Sequence, residues 1–169
     1  MAQLRLIHAA VVCLAACRAS EAGPTSGLTV PAGWRALPEL VTAASKASEQ
    51  AKLKVDGVEA WGEPSRGCYS TWLALNGEPG APEKVADLMI AELPSTPALA
   101  GIAITDVVKP AAKSESGVMS LTFSRPPYRG MLRGSLGTTG SYALLACFWN
   151  EREPLACEAA CKQLVGSMK

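Results

Sequence analysis

Residues 117–149 read GVMSLTFSRPPYRGMLRGSLGTTGSYALLACFW, and this stretch decides the fold. In its first third, Met119, Leu121 and Phe123 alternate with Ser120, Thr122 and Ser124. That alternation predicts a strand with one apolar and one wetted face. Pro126 and Pro127 interrupt it, and two further extended runs follow at 130–136 and 141–149, separated by Gly-Thr-Thr-Gly. Connections this short join antiparallel neighbours, so the run predicts a meander. Another extended run, 101–109, precedes it.

Working outward, Pro154 can open a helix, and Cys157, Cys161, Leu164, Val165 and Met168 fall on one face of it that must pack on the sheet. Upstream, GCYSTWLALN at 67–76 predicts a strand with Cys68, Trp72 and Ala74 on one side and Tyr69, Thr71, Leu73 and Leu75 on the other. Both sides are largely apolar, which places it centrally. Pro82 can start a helix with Val85, Leu88, Met89 and Leu93 as its apolar stripe, stopped at Pro94. Residues 38–52 have helical composition, with Leu40, Val41, Ala44, Ala47 and Ala51 on a side interrupted by Ser48. Asp56-Gly57 predicts a hairpin turn, and Leu28-Thr29-Val30-Pro31 a short extended run. This order of elements predicts an α+β fold: an antiparallel sheet packed against helices.

The chain has six cysteines. Cys13 and Cys17 fall in or next to an export leader, which leaves Cys68, Cys147, Cys157 and Cys161 for the folded unit. An even number in an exported chain predicts two disulfides. Cys157 and Cys161 lie one turn apart on one helix, where a bridge would constrain little. Cys147 sits inside the last strand and should meet the deeper Cys161, which leaves Cys68 to Cys157. A four-thiolate zinc site would use the same residues but lacks a close C-x-x-C pair. A redox role would exploit Cys157 near the helix entrance.

Residues 1–16 form a leader in which Arg5 supplies the charge and Leu6 to Ala16 is almost wholly apolar. Eleven positions are too few to span a bilayer, which takes about 20. The segment ends in Leu14-Ala15-Ala16-Cys17, which resembles the lipobox of bacterial lipoproteins. The resemblance implies that Cys17 is acylated and becomes the mature amino terminus, anchoring the chain to a membrane of the cell envelope. Arg18, in place of a retention aspartate, implies the periplasmic face of the outer membrane. An ordinary signal peptide cut after Ala22 is the alternative. Residues 17–27 then form the lipidated cysteine and a flexible tether rich in small and polar residues, and residues 28–169 a single domain. That domain also resembles the PsbP-like α/β sandwich family through Leu28-Thr29-Val30-Pro31-Ala32-Gly33-Trp34, the late meander and the closing Leu164-Val165-Gly166-Ser167. This second resemblance implies a non-enzymatic binding or assembly role.

Lys and Arg number 16 against 15 Asp and Glu, a balance that gives nucleic acid nothing to bind. The only histidine, His8, lies in the leader, so a serine or cysteine nucleophile would lack its commonest base. Nucleotide-binding and hydrolase motifs are absent, and Asp56, Glu59 and Glu63 read as a solvated edge more readily than as a catalytic carboxylate pair. No cofactor or metal is expected. What remains is a binding surface, with an envelope protein as its partner. Loops at 126–129 and 149–153 should emerge at one end of the meander and display Tyr128, Arg129, Trp149 and Arg152, residue types enriched at interaction hot spots. The competing reading of that patch has Trp149 capping the core. The competing functions are a thiol-redox or hydrolytic envelope enzyme and a carrier of an apolar ligand.

Overall fold

The computed structural model describes residues 25–94, 100–152 and 154–168. The leader, Cys17 and most of the tether lie outside them. The elements run β1 (Arg35–Ala36), α1 (Pro38–Gln50), β2 (Lys54–Glu63), a 3-10 turn (Pro64–Arg66), β3 (Cys68–Asn76), α2 (Pro82–Glu92), β4 (Ala103–Val108), β5 (Ser116–Arg125), β6 (Tyr128–Gly137), β7 (Ser141–Asn150) and α3 (Pro154–Ser167). All three helices open on proline, whose fixed φ suits a first turn and whose missing N–H is not needed there.

The strands form one antiparallel sheet of seven in the order β1-β2-β3-β7-β6-β5-β4. β5, β6 and β7 are the meander, and β3 is central because it pairs with both β2 and β7. Helices cover both faces. α1 and α2 lie on one, where Leu75, Ala86, Met119, Leu121, Leu136 and Tyr142 form a core. α3 lies on the other over β7 and β6, where Cys68, Leu145, Cys147, Trp149, Cys157, Cys161 and Leu164 form a second core.

Two disulfides lock α3 in place: Cys68 to Cys157 and Cys147 to Cys161, with Cα separations of 5.4 and 5.5 Å. The geometry follows from two repeats. Cys147 faces Ser70 across the β3–β7 ladder, so Cys68 lies two residues further along, about 6.6 Å at the strand rise. Cys157 and Cys161 are four helical residues apart, about 6 Å at the helix rise. The two spacings match only when the helix runs nearly along the strands.

Beside α3, residues 25–34 cross the same face as a strap. The carboxylate of Glu59 on β2 accepts hydrogen bonds from the Ser26 amide (2.8 Å), the Ser26 hydroxyl (2.6 Å), the Thr25 hydroxyl and the Trp61 indole. Burial pushes the Glu59 carboxyl up, but these donors outweigh it and hold it below its ordinary value. The Thr29 amide donates to the Ser167 hydroxyl at the end of α3 (3.0 Å), and Leu28 is buried against the helix.

Four expectations need correction. Asp56-Gly57 makes no hairpin: both residues lie inside β2, where a bulge between Val55 and Gly57 absorbs the extra residue. A Cβ on Gly57 would sit 3.1 Å from the Trp72 ring, a tight approach that the glycine avoids. Residues 28–31 form no strand, being held through Leu28 and the Thr29 amide instead. Leu88 is 66% exposed, and α2 approaches the sheet through Pro82 and Ala86. Ser48 is the buried residue of α1, its hydroxyl returned to the Ala44 carbonyl at 2.9 Å.

Non-reducing peptide mapping should recover Cys68 with Cys157 and Cys147 with Cys161. Replacing the pairs by alanine one at a time should cost about 3 kcal/mol for the shorter loop and roughly 4–5 kcal/mol for the longer one in the chain-entropy model. Recovery of Cys68 bound to Cys161 would contradict the helix placement.

Candidate functional site

The sheet separates the four residues expected to form one patch. Trp149 is only 3% exposed and belongs to the core under α3, with its indole N–H buried and without an acceptor among the described residues. Tyr128 points to the opposite face, because it pairs with Asn150 while Arg129 pairs with Trp149 and side chains alternate. Arg129 and Arg152 are exposed, and the Arg152 amide donates to the Asn150 side chain in the turn after β7. The loops do emerge together, since the Glu151 amide donates to the Pro127 carbonyl at 2.9 Å, but Trp149 does not reach the surface they make.

Tyr128 instead joins a row that the separate motifs did not suggest. Its ring meets Phe148 edge-on at 6.1 Å, and Phe148 stacks on Tyr69 at 5.5 Å. These half-buried rings come from three adjacent strands, β6, β7 and β3. α1 lies over β2 and β3 and α2 over β5 and β6, so Phe148 stands on the strand between the two helices. Burial and the neighbouring Tyr128 push the Tyr69 phenol above its ordinary value.

Arg129 occupies the other face, beyond α3. Its cross-strand neighbours there are Ser124 on β5 and Trp149 on β7, followed along the strand by Met131 opposite Thr122 and by Arg133 opposite Ser120. The wetted face expected for β5 is therefore continued by β6. At its rim Asp106 adopts φ 51° in a bulge of β4 between Thr105 and Val108. The Thr122 hydroxyl donates to its carboxylate at 2.6 Å, and the Thr105 hydroxyl lies 2.5 Å from that of Thr122. These hydrogen bonds hold the Asp106 carboxyl below its ordinary value, and the Arg129 charge adds to them. Arg129 acts the same way on Glu158 of α3, which is held down chiefly by its 2.7 Å pair with Lys162. Arg129 thus stands between helix and sheet rim.

The three acids considered as a catalytic cluster have separate partners. Glu59 holds the strap, Glu63 pairs with Arg66 at 3.2 Å, and Asp56 accepts from Asn76. Two open clefts flank the cores. One of about 290 Å³ lies between strap and α3 with Trp34, Arg66 and Gln163 on its walls. The other, about 410 Å³, lies between α1 and β2 with Val41, Ser48 and Leu53.

The comparisons with known proteins find no match, either among protein-family models or among curated proteins. Function must therefore be argued from these surfaces.

Trp149→Ala should destabilise the oxidised chain by about 3–5 kcal/mol, as truncation of a buried aromatic does. Arg129→Ala, at an exposed position, should stay within about 0.5 kcal/mol of the parent. Denaturant melts of the two variants check this, and equal melts would return Trp149 to the surface.

Proposed function

We propose that the protein is a lipid-anchored cell-envelope lipoprotein that acts as a non-catalytic binding or assembly module. The observation that carries this reading is the row Tyr69–Phe148–Tyr128, three half-buried rings presented on neighbouring strands of a covalently stapled sheet. Aromatic side chains fixed by their neighbours lose little conformational entropy when a partner covers them, which is why such residues dominate interface energetics. The lipobox at Cys17 supplies the anchor, and the tether leads from it to the strap held by Glu59. The residues that carry the PsbP-like resemblance are consistent with a structural role, since Pro31 and Trp34 are buried at the start of the domain.

The alternatives find less support. All four cysteines of the domain are bonded in pairs and almost wholly buried, which suits a frame better than an exchanging thiol. Beneath α2 and α3 the space between helix and sheet, where an apolar ligand would be carried, is filled by the two side-chain cores, and the cleft between α1 and β2 is open to solvent and bordered by Ser45, Ser48, Glu49 and Asp56 as well as by apolar residues.

The experiment is crosslinking in intact cells. A chain with Tyr69, Tyr128 and Phe148 changed to alanine should keep its disulfides and its membrane fractionation but lose its captured partner. Intact mass of the membrane form should begin at an acylated Cys17. Equal capture by the folded variant, or an unmodified terminus at Gly23, would overturn the corresponding half of the reading.

A further inference from the structure

Beyond the aromatic row, we propose that the open strip of sheet beside α3 binds an extended acidic segment of a partner protein, with carboxylates four residues apart and an apolar residue midway between them. The strip starts at the edge of α3: the strap is held on β2, α3 packs on β7 and reaches β6, and Met131 of β6 is half-buried against the core beneath the helix, so β6 forms the inner border of the strip and β5 lies beyond it. Its floor is Ser120, Thr122 and Ser124 of β5 with Arg129, Met131 and Arg133 of β6.

Two charges set the chemistry. Among the described residues, neither Arg129 nor Arg133 forms an ion pair or a hydrogen bond, and the Nε of Arg133 is shut off from water without an acceptor. A guanidinium left in this state gains from a carboxylate, which accepts from its fork in the strong charge-assisted geometry. The acids that flank Arg129 are already committed: Asp106 to the Thr122 hydroxyl and Glu158 to Lys162. With Lys162 cancelling Glu158, the two arginines outweigh Asp106 and leave the strip cationic.

Spacing then fixes the shape of the ligand. Arg129 and Arg133 are four residues apart on one strand, about 13 Å, with Met131 between them on the same face. An extended chain laid along β6 repeats its own side chains at the same rise, so positions i and i+4 reach the two arginines and i+2 meets Met131. The pattern reads the same in both directions, so the chain direction is left free. The Ser120 and Ser124 hydroxyls make no hydrogen bond among the described residues and lie beside the arginines to meet a backbone amide or carbonyl. A helix would instead set an apolar stripe against this hydroxyl floor and leave its own backbone closed to it.

The test is fluorescence anisotropy with the full, disulfide-bonded chain and a labelled peptide, Ser-Asp-Ser-Leu-Ser-Asp-Ser. A second peptide with the two aspartates three residues apart puts them on opposite faces of an extended chain. The first should bind at least tenfold more tightly than the second. It should lose at least tenfold in affinity to the double variant Arg129→Gln/Arg133→Gln, whose melt and disulfides match the parent, and should weaken as salt is raised. Equal affinity for the two spacings, or unchanged affinity in the double variant, would overturn the proposal. So would arginine-dependent binding to phosphatidylglycerol vesicles with neither peptide bound, since that would assign the strip to a lipid surface. Crosslinking through Tyr69, Phe148 and Tyr128 is read separately, so its failure leaves this test intact.

Discussion

The attachment of α3 to the middle of the sheet is the constraint on which the other features of this protein depend. Two disulfides, from adjacent strands to adjacent turns of one helix, fix the helix in position and also in direction, because one bridge alone would leave it free to swivel. The match between two strand residues and four helical residues makes the arrangement possible without distorting either element. The core beneath α3 contains the four cysteines, Leu145, Trp149 and Leu164, so covalent and hydrophobic terms act at the same place.

A helix held over the centre cannot also cover the sides. On one side the strap closes the face through Glu59 and the end of α3. On the other side α3 packs as far as β6, and the side chains at and beyond its edge are hydroxyls and arginines where a covered face would carry aliphatic side chains. On the reverse face α1 and α2 lie over opposite flanks, with Phe148 on the strand between them. Both surfaces proposed for binding are thus consequences of how three helices and a strap divide a seven-stranded sheet.

Much of this was legible in the chain. The alternation of Met119, Leu121 and Phe123 with serine and threonine gave β5 its two faces, and the helical spacing of Cys157 and Cys161 led to the disulfide pairing. The errors have physical causes. Asp-Gly suits a hairpin turn, but it also suits a bulge where the chain passes close under the Trp72 ring. Periodicity favours large residues such as Leu88, whereas α2 makes its close approach through Ala86. The two loops lie side by side without bringing the four side chains of the expected patch together, because adjacent residues of one strand point to opposite faces. Arg133, Phe148 and Tyr69 could be found only once strand order was known, since cross-strand neighbours such as Ser120 and Arg133 are not encoded in local spacing.

Methionine oxidation of the intact, disulfide-bonded chain tests the division of the sheet most directly, because three methionines report on its three environments. Met119 is 1% exposed under α2, Met168 is 5% exposed against the strap, and Met131 lies half-buried at the edge of α3, where the strip begins. With limiting peroxide and tryptic mapping, Met131 should form sulfoxide well before Met119 and Met168. Protection of Met131 equal to that of Met119 would show that the strip is covered, and would contradict the account.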